Sequence, residues 1–324
     1  GGQVNDELGL ALLYSGTAGS GWREHTDEKT DDLALKFRYA LSPTSEVFGK
    51  FSHFEARTDI AGGLTSAQYA ADPFQSQRTS DMWSGRRNGI DLGYINTLSD
   101  TQEFELRTYY NDSYRESRLT NGFDASATTL THQPRNYGVF GIEPRYTQRF
   151  FAGSFTHDVT VGMRYLRERA DETVLRYDLR NGAATLRRQS DNSTDAYAYY
   201  VDDQIAVGKW RVTPGLRFED VEIGRVNRLN GYSETVASNE PLPSLNIAYL
   251  LNPELTLFGN YTTSFASIQH LQLNVNPSGN TLQPETAETV EAGVRWGRDR
   301  EHRAGLGLGS AGEQNAWIFG VRRM

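Results

Sequence analysis

Apolar and polar residues alternate with a period of two along most of this chain, and no other feature restricts its fold as tightly. Leu33, Leu35, Phe37 and Tyr39 alternate with Ala34, Lys36 and Arg38. Ile90, Leu92 and Tyr94 alternate with Asp91 and Gly93. Val159, Val161, Met163 and Tyr165 alternate with Thr160, Gly162 and Arg164. The same pattern recurs in Trp210–Phe218 and Leu245–Tyr249. Successive side chains of a strand point to opposite faces, so each segment reads as a strand with one apolar and one polar face. Roughly twelve such segments occur, many near the ~9–11 residues of a tilted membrane-crossing strand. No stretch keeps a helical repeat over three turns.

The connections alternate in length. LSPTSE (41–46), TLSDT (97–101), AVGKW (206–210) and LLNPE (250–254) are short. The segments 56–85, 112–135, 170–194, 222–241 and 265–286 are long and rich in Gly, Ser, Thr, Asn, Asp and Arg. GSGWREHTDEKTDD (19–32) and SGRRNG (84–89) read as charged, solvated connections. A soluble sandwich gives no reason for this alternation. An outer-membrane barrel does, with short periplasmic turns and long external loops. The expected fold class is therefore all-β, an antiparallel transmembrane β-barrel.

Composition agrees once the strand pattern is known. Hydrophobic residues make up 37% and mean hydropathy is −0.60. Those values suit a soluble protein, but barrel strands with one polar face average to the same result. The 17 Tyr and 15 Phe suit strands, and AYAYY (196–200) and LTLFGNY (255–261) could form interfacial girdles. No apolar run reaches the ~18–20 residues of a membrane helix. Cysteine is absent, which excludes disulfides, thiol catalysis and thiolate metal sites. The net charge of −8, with no basic run interleaved with aromatics, argues against a nucleic-acid partner. The N-terminus GGQVNDELGL has neither a basic region nor an apolar core of a signal peptide. The expectation is a chain that is not exported or that begins inside a longer one.

LQPETAETVEAGVRW (282–296) resembles a barrel motif of the TonB-dependent outer-membrane transporters. Residues 11–40, PRNYGVFGIEPRYTQ (134–148) and WRVTPGLRFEDVEI (210–223) are similar to the ferric dicitrate transporters within that family. The resemblance implies a 22-stranded barrel around a globular plug and a substrate held at the external mouth. It also implies energy delivered by the TonB–ExbB–ExbD complex through plug and N-terminus. The expectation is a partial barrel over 1–296, embedded in outer-membrane lipid, with the plug absent. Residues 297–324 form an atypical tail that is truncated or read out of frame. No covalent chemistry and no cofactor are expected, and iron would arrive as substrate in its citrate complex.

Such a ligand displays carboxylates. Arginine presents a planar fork that pairs with a carboxylate through two parallel hydrogen bonds. Of the 33 cations 29 are Arg, since Lys occurs only at 29, 36, 50 and 209. By resemblance Arg115, Arg135 and Arg188 occupy citrate-contacting positions, with Arg187 able to exchange with Arg188. Without the resemblance an arginine at a strand–loop junction is more often a solvated or weakly ion-paired surface group. Arg145 shares a face with Tyr137, Val139 and Glu143, and pairing with a wall carboxylate is its expected role. The six His have no ligand spacing, and Asp31–Asp32 and Asp202–Asp203 are strand neighbours that point apart. No metal site is expected. Two other readings stand beside ferric dicitrate: a receptor for another siderophore or metallophore, and a non-functional barrel remnant.

Overall fold

The computed structural model describes residues 1–273 and 283–296 fully and residues 315–323 by their backbone. Alternation becomes a single antiparallel sheet. Its strands are β1 (Gly2–Gln3), β2 (Leu8–Ser20), β3 (Asp27–Ser42), β4 (Ser45–Asp59), β5 (Met82–Ser99), β6 (Gln102–Thr120), β7 (Thr129–His132), β8 (Arg135–Ala152), β9 (Phe155–Asp178) and β10 (Ala184–Val207). They continue as β11 (Trp210–Asn227), β12 (Ser233–Asn252), β13 (Leu255–Ala266), β14 (Glu285–Trp296) and β15 (Asn315–Arg323). Neighbours in sequence are neighbours in the sheet, apart from β7 and β8. Both lie between β6 and β9, so they act as one strand interrupted at Gln133–Pro134. Proline lacks the N–H that a continuous strand would donate there. Among the described residues no pairing joins β1 to β15, so the sheet is a barrel segment with two edges.

The face assignments invert a soluble protein. Val161, Tyr199 and Leu216 lie on an apolar face yet are 45%, 50% and 50% exposed. Tyr110, Phe140, Tyr197, Val201 and Phe218 share that exposed face. The opposite face buries charge instead, including Glu105, Glu172, Glu219 and Arg225. Apolar outside and polar inside is the pattern of a strand set that meets lipid on one side and a lumen on the other. Exposed Phe150, Phe151, Phe155, Trp210 and Trp296 cluster near the short-turn end, where interfacial aromatics belong.

At that end β3–β4, β5–β6, β8–β9, β10–β11 and β12–β13 are each joined by two residues. Gly153 and Gly208 adopt φ of 62° and 53°, a region that glycine enters without steric cost. The other end differs from expectation. The regions 170–194 and 222–241, expected as long loops, are mostly strand: β9 and β10 leave only 179–183 between them, and β11 and β12 only 228–232. SGRRNG lies inside β5, and the described residues form fifteen strands where roughly twelve are expected. The reason is physical. Above the bilayer the outward face of a strand meets water instead of lipid, so backbone pairing continues while the alternation that reveals it stops. The tail expected from 297 lies outside the described residues through 314 and at Met324. The backbone of β15 pairs with β14.

The connection 60–81 is folded. It carries a one-and-a-half-turn helix, α1 (Ser66–Ala71), with a reciprocal capping box between Thr65 and Gln68. The buried Asp81 carboxylate accepts from the Thr120 N–H at 2.7 Å and its hydroxyl at 2.8 Å. Arg78 donates to the Thr120 carbonyl at 3.0 Å. Asp81→Ala leaves the buried Thr120 N–H without an acceptor, at about 1–3 kcal/mol. The expected result is faster limited proteolysis within 60–81, with cleavage elsewhere unchanged. Equal cleavage rates would show that Asp81 does not hold this loop.

Candidate functional site

The short turns fix where the site lies. Counting from them, Arg115, Arg135, Glu172, Ser190 and Arg225 stand roughly fifteen residues up their strands, beyond the ~9–11 that cross the bilayer. The outward face changes at the same level. Below it stand Phe140, Tyr197 and Val161, whereas at it Tyr114, Asn136, Asp171 and Asp191 are lateral partners. The cluster therefore sits at the external mouth, on the inner face.

Register assembles it. Arg115 is directly opposite Arg135, Arg135 opposite Glu172, and Glu172 opposite Ser190. Directly opposed residues share a face. Two opposed arginines repel, and each is provided for locally. Arg115 lies over the Tyr137 ring at 5.3 Å, a cation–π contact. Arg135 Nη2 reaches Glu172 Oε1 at 2.8 Å and the Gln133 side-chain oxygen at 3.2 Å.

A bulge lies beside the third arginine. Leu186 pairs with Leu175 and Arg188 with Val174, so Arg187 is the extra residue. From Arg188 the register runs unbroken to Ser190, so the two share a face, and Arg188 Nη2 donates to Glu172 Oε1 at 2.9 Å. The choice between Arg187 and Arg188, open in the sequence, falls on Arg188, which lies two residues from Ser190 on the inner face. Arg225 completes the group, with Nη2 3.4 Å from Glu172 Oε2 and 3.2 Å from the Ser190 hydroxyl. Its Nη1 donates to the His270 carbonyl at 2.8 Å. Burial depresses the Arg225 pKa, Glu172 raises it, and Arg188 and Arg135 depress it again.

The structure thus brings Arg115, Arg135 and Arg188 together and adds Glu172, Ser190 and Arg225. The added residues fall in stretches read as loops, 170–194 and 222–241. Extending the strand parity of β9 and β11 upward would have placed Glu172 and Arg225 on the inner face. Three guanidiniums hold one carboxylate, with Arg115 on the neighbouring strand beside Arg135, so the cluster carries excess positive charge in a half-enclosed setting. That arrangement attracts and holds anions. The Nε atoms of Arg135 and Arg188 are buried without an acceptor.

The residues after β13 roof one side. Ile268 and Leu273 turn inward onto Ala196, Val221 and Ile223. The His270 imidazole meets the Thr194 hydroxyl and the Ser193 carbonyl, both at 3.1 Å. Arg145 stands lower on the wall and pairs with buried Glu105, the kind of partner expected for it. Among the described residues no group of His, Asp and Glu converges in a way that could hold a metal ion.

A curved sheet that is apolar toward lipid, charged within and cationic at its mouth defines an outer-membrane receptor barrel. The chain belongs to the TonB-dependent receptor family, whose β-barrel model ("TonB dependent receptor-like, beta-barrel") matches residues 21–308. Members of this family are outer-membrane receptors and transporters, not enzymes. Among solved structures, a ferric citrate transporter, FecA, in its unliganded form is 37% identical with a TM-score of 0.86. The match covers 91% of this chain and 45% of that one. The metal-pseudopaline receptor CntO of Pseudomonas aeruginosa is 29% identical, over 85% of this chain and 43% of the relative. The ferrioxamine B receptor of Salmonella typhimurium is 22% identical, over 66% of this chain and 30% of the relative. The chain thus spans less than half the length of these proteins.

Proposed function

We propose that this chain forms the ligand-recognising wall of an outer-membrane receptor for an anionic ferric chelate with free carboxylates, iron(III) dicitrate above all. The observation that carries this reading is the convergence of Arg135, Arg188 and Arg225 around a single glutamate at the lumen mouth, with Arg115 opposite Arg135. The 37% identity to a ferric citrate transporter supports the same ligand class. Arg135 and Arg188 bind carboxylates, Arg115 steers the anion inward, and the enclosed setting strengthens each pairing. In the intact receptor, TonB–ExbB–ExbD supplies the energy for import through a plug, and the protein resides in the outer membrane. Iron is the cargo, carried within the chelate, and no resident cofactor takes part.

A trihydroxamate chelate spends its acidic groups on the iron and leaves no free carboxylate for the arginines. The test is a pair of binding titrations on the detergent-folded chain, read by tryptophan fluorescence. Iron(III) dicitrate is expected to bind, and its affinity to fall several-fold as salt rises from about 0.05 to 0.5 M. A ferric trihydroxamate is expected to bind weakly and with little salt dependence. Preference for the trihydroxamate, or salt-independent binding of the citrate complex, would refute the carboxylate assignment.

A further inference from the structure

Arginine grips a carboxylate best along one edge, using Nε and one terminal nitrogen in parallel. On both Arg135 and Arg188 that edge is half used. Nη2 of each is taken by Glu172 Oε1, at 2.8 and 2.9 Å, while each Nε is buried with no acceptor. A buried N–H without a partner is costly. Glu172 itself is only 3% exposed, and Arg225 holds its second oxygen. A carboxylate so enclosed is tolerable only because three guanidiniums compensate it. One glutamate, anchored to β9, does not fill the donor set that surrounds it.

We propose that Glu172 is a resident carboxylate which the ligand must displace, and that it thereby sets selectivity for polycarboxylates over monocarboxylates. The inference rests on the carboxylate-binding reading given above and identifies what decides among carboxylates. A monocarboxylate can exchange with Glu172 only one for one, and must also leave water and bring Glu172 off its partners. A ligand with two or more carboxylates replaces the bonds to all three arginines and supplies acceptors to the two empty Nε atoms. Glu172 is thus a threshold that a single carboxylate does not cross.

Two simple probes test this without iron: citrate as the polycarboxylate and acetate as the monocarboxylate. Each is titrated calorimetrically into the detergent-folded wild type, E172Q and E172D, with sheet content checked by circular dichroism. Wild type is expected to bind citrate and to show no saturable acetate binding. E172Q removes the competing charge, and citrate is expected to bind about tenfold tighter while acetate binding becomes measurable. E172D, whose shorter side chain reaches the three arginines less well, is expected to shift citrate affinity in the same direction by about threefold. It keeps the test decisive should E172Q fail to fold. If wild type binds citrate and both folded variants bind it equally or more weakly, Glu172 only positions the arginines and the proposal fails while the site stands. If neither wild type nor variants bind citrate, the site reading itself falls and takes this inference with it.

Discussion

Arg135→Ala is expected to weaken binding of iron(III) dicitrate by about a hundredfold, or ~3 kcal/mol. The size follows from the position. Arg135 is flanked by Arg115 on one strand and Glu172 on the other, and its side chain is mostly enclosed. Removing it deletes a fork that grips the ligand. It also leaves Glu172 to be shared by Arg188 and Arg225 alone, which ties both more firmly to the protein. Arg145→Ala supplies the contrast. Its partner Glu105 keeps a second contact to Arg107, far below the mouth, so the dissociation constant is expected to stay within about threefold. Equal losses in the two variants would mean that general positive charge, rather than the cluster at the mouth, attracts the chelate.

The second large effect concerns the wall. Val161 lies opposite Tyr146 and Val201 on the outward face, about midway up the span from the short turn at 153–154. Val161→Arg places a cation at that depth in lipid and is expected to cost about 2–4 kcal/mol, read from denaturant unfolding in bilayer vesicles. Gln189→Arg puts the same charge on the same face but above the bilayer, and is expected to change stability by less than about 0.5 kcal/mol. Equal effects at the two positions would contradict the placement of the membrane.

The two effects divide along the same line as the legibility of the sequence. Where one face meets lipid and the other a lumen, burial imposes a period of two. Val159–Tyr165 and Trp210–Phe218 can then be read as strands with their faces assigned. Above the bilayer that constraint lapses. The upper halves of β9, β10 and β11 carry polar residues outward and no sustained alternation, and so read as loops, although the backbone pairing continues. Glu172 and Arg225 lie there, which is why neither was singled out. Arg135 was legible because Pro134 and the aromatic strand below it mark a junction, and because its block resembles a known family. Strand parity extended up β10 from Ala196 and Ala198 puts Arg188 rather than Arg187 inward, but that stretch was read as loop, so the choice stayed open. The fold of 60–81, held by buried Asp81 and Arg78, carried no periodic signal at all.

A crystal structure of the chain with iron(III) dicitrate shows whether the arginines around Glu172 form a carboxylate site. The chelate is expected at the lumen mouth, with citrate carboxylates on the Nε–Nη2 edges of Arg135 and Arg188 and with Glu172 withdrawn from at least one of them. A chelate seated elsewhere on the wall, with Glu172 still bridging Arg135, Arg188 and Arg225, would contradict that assignment.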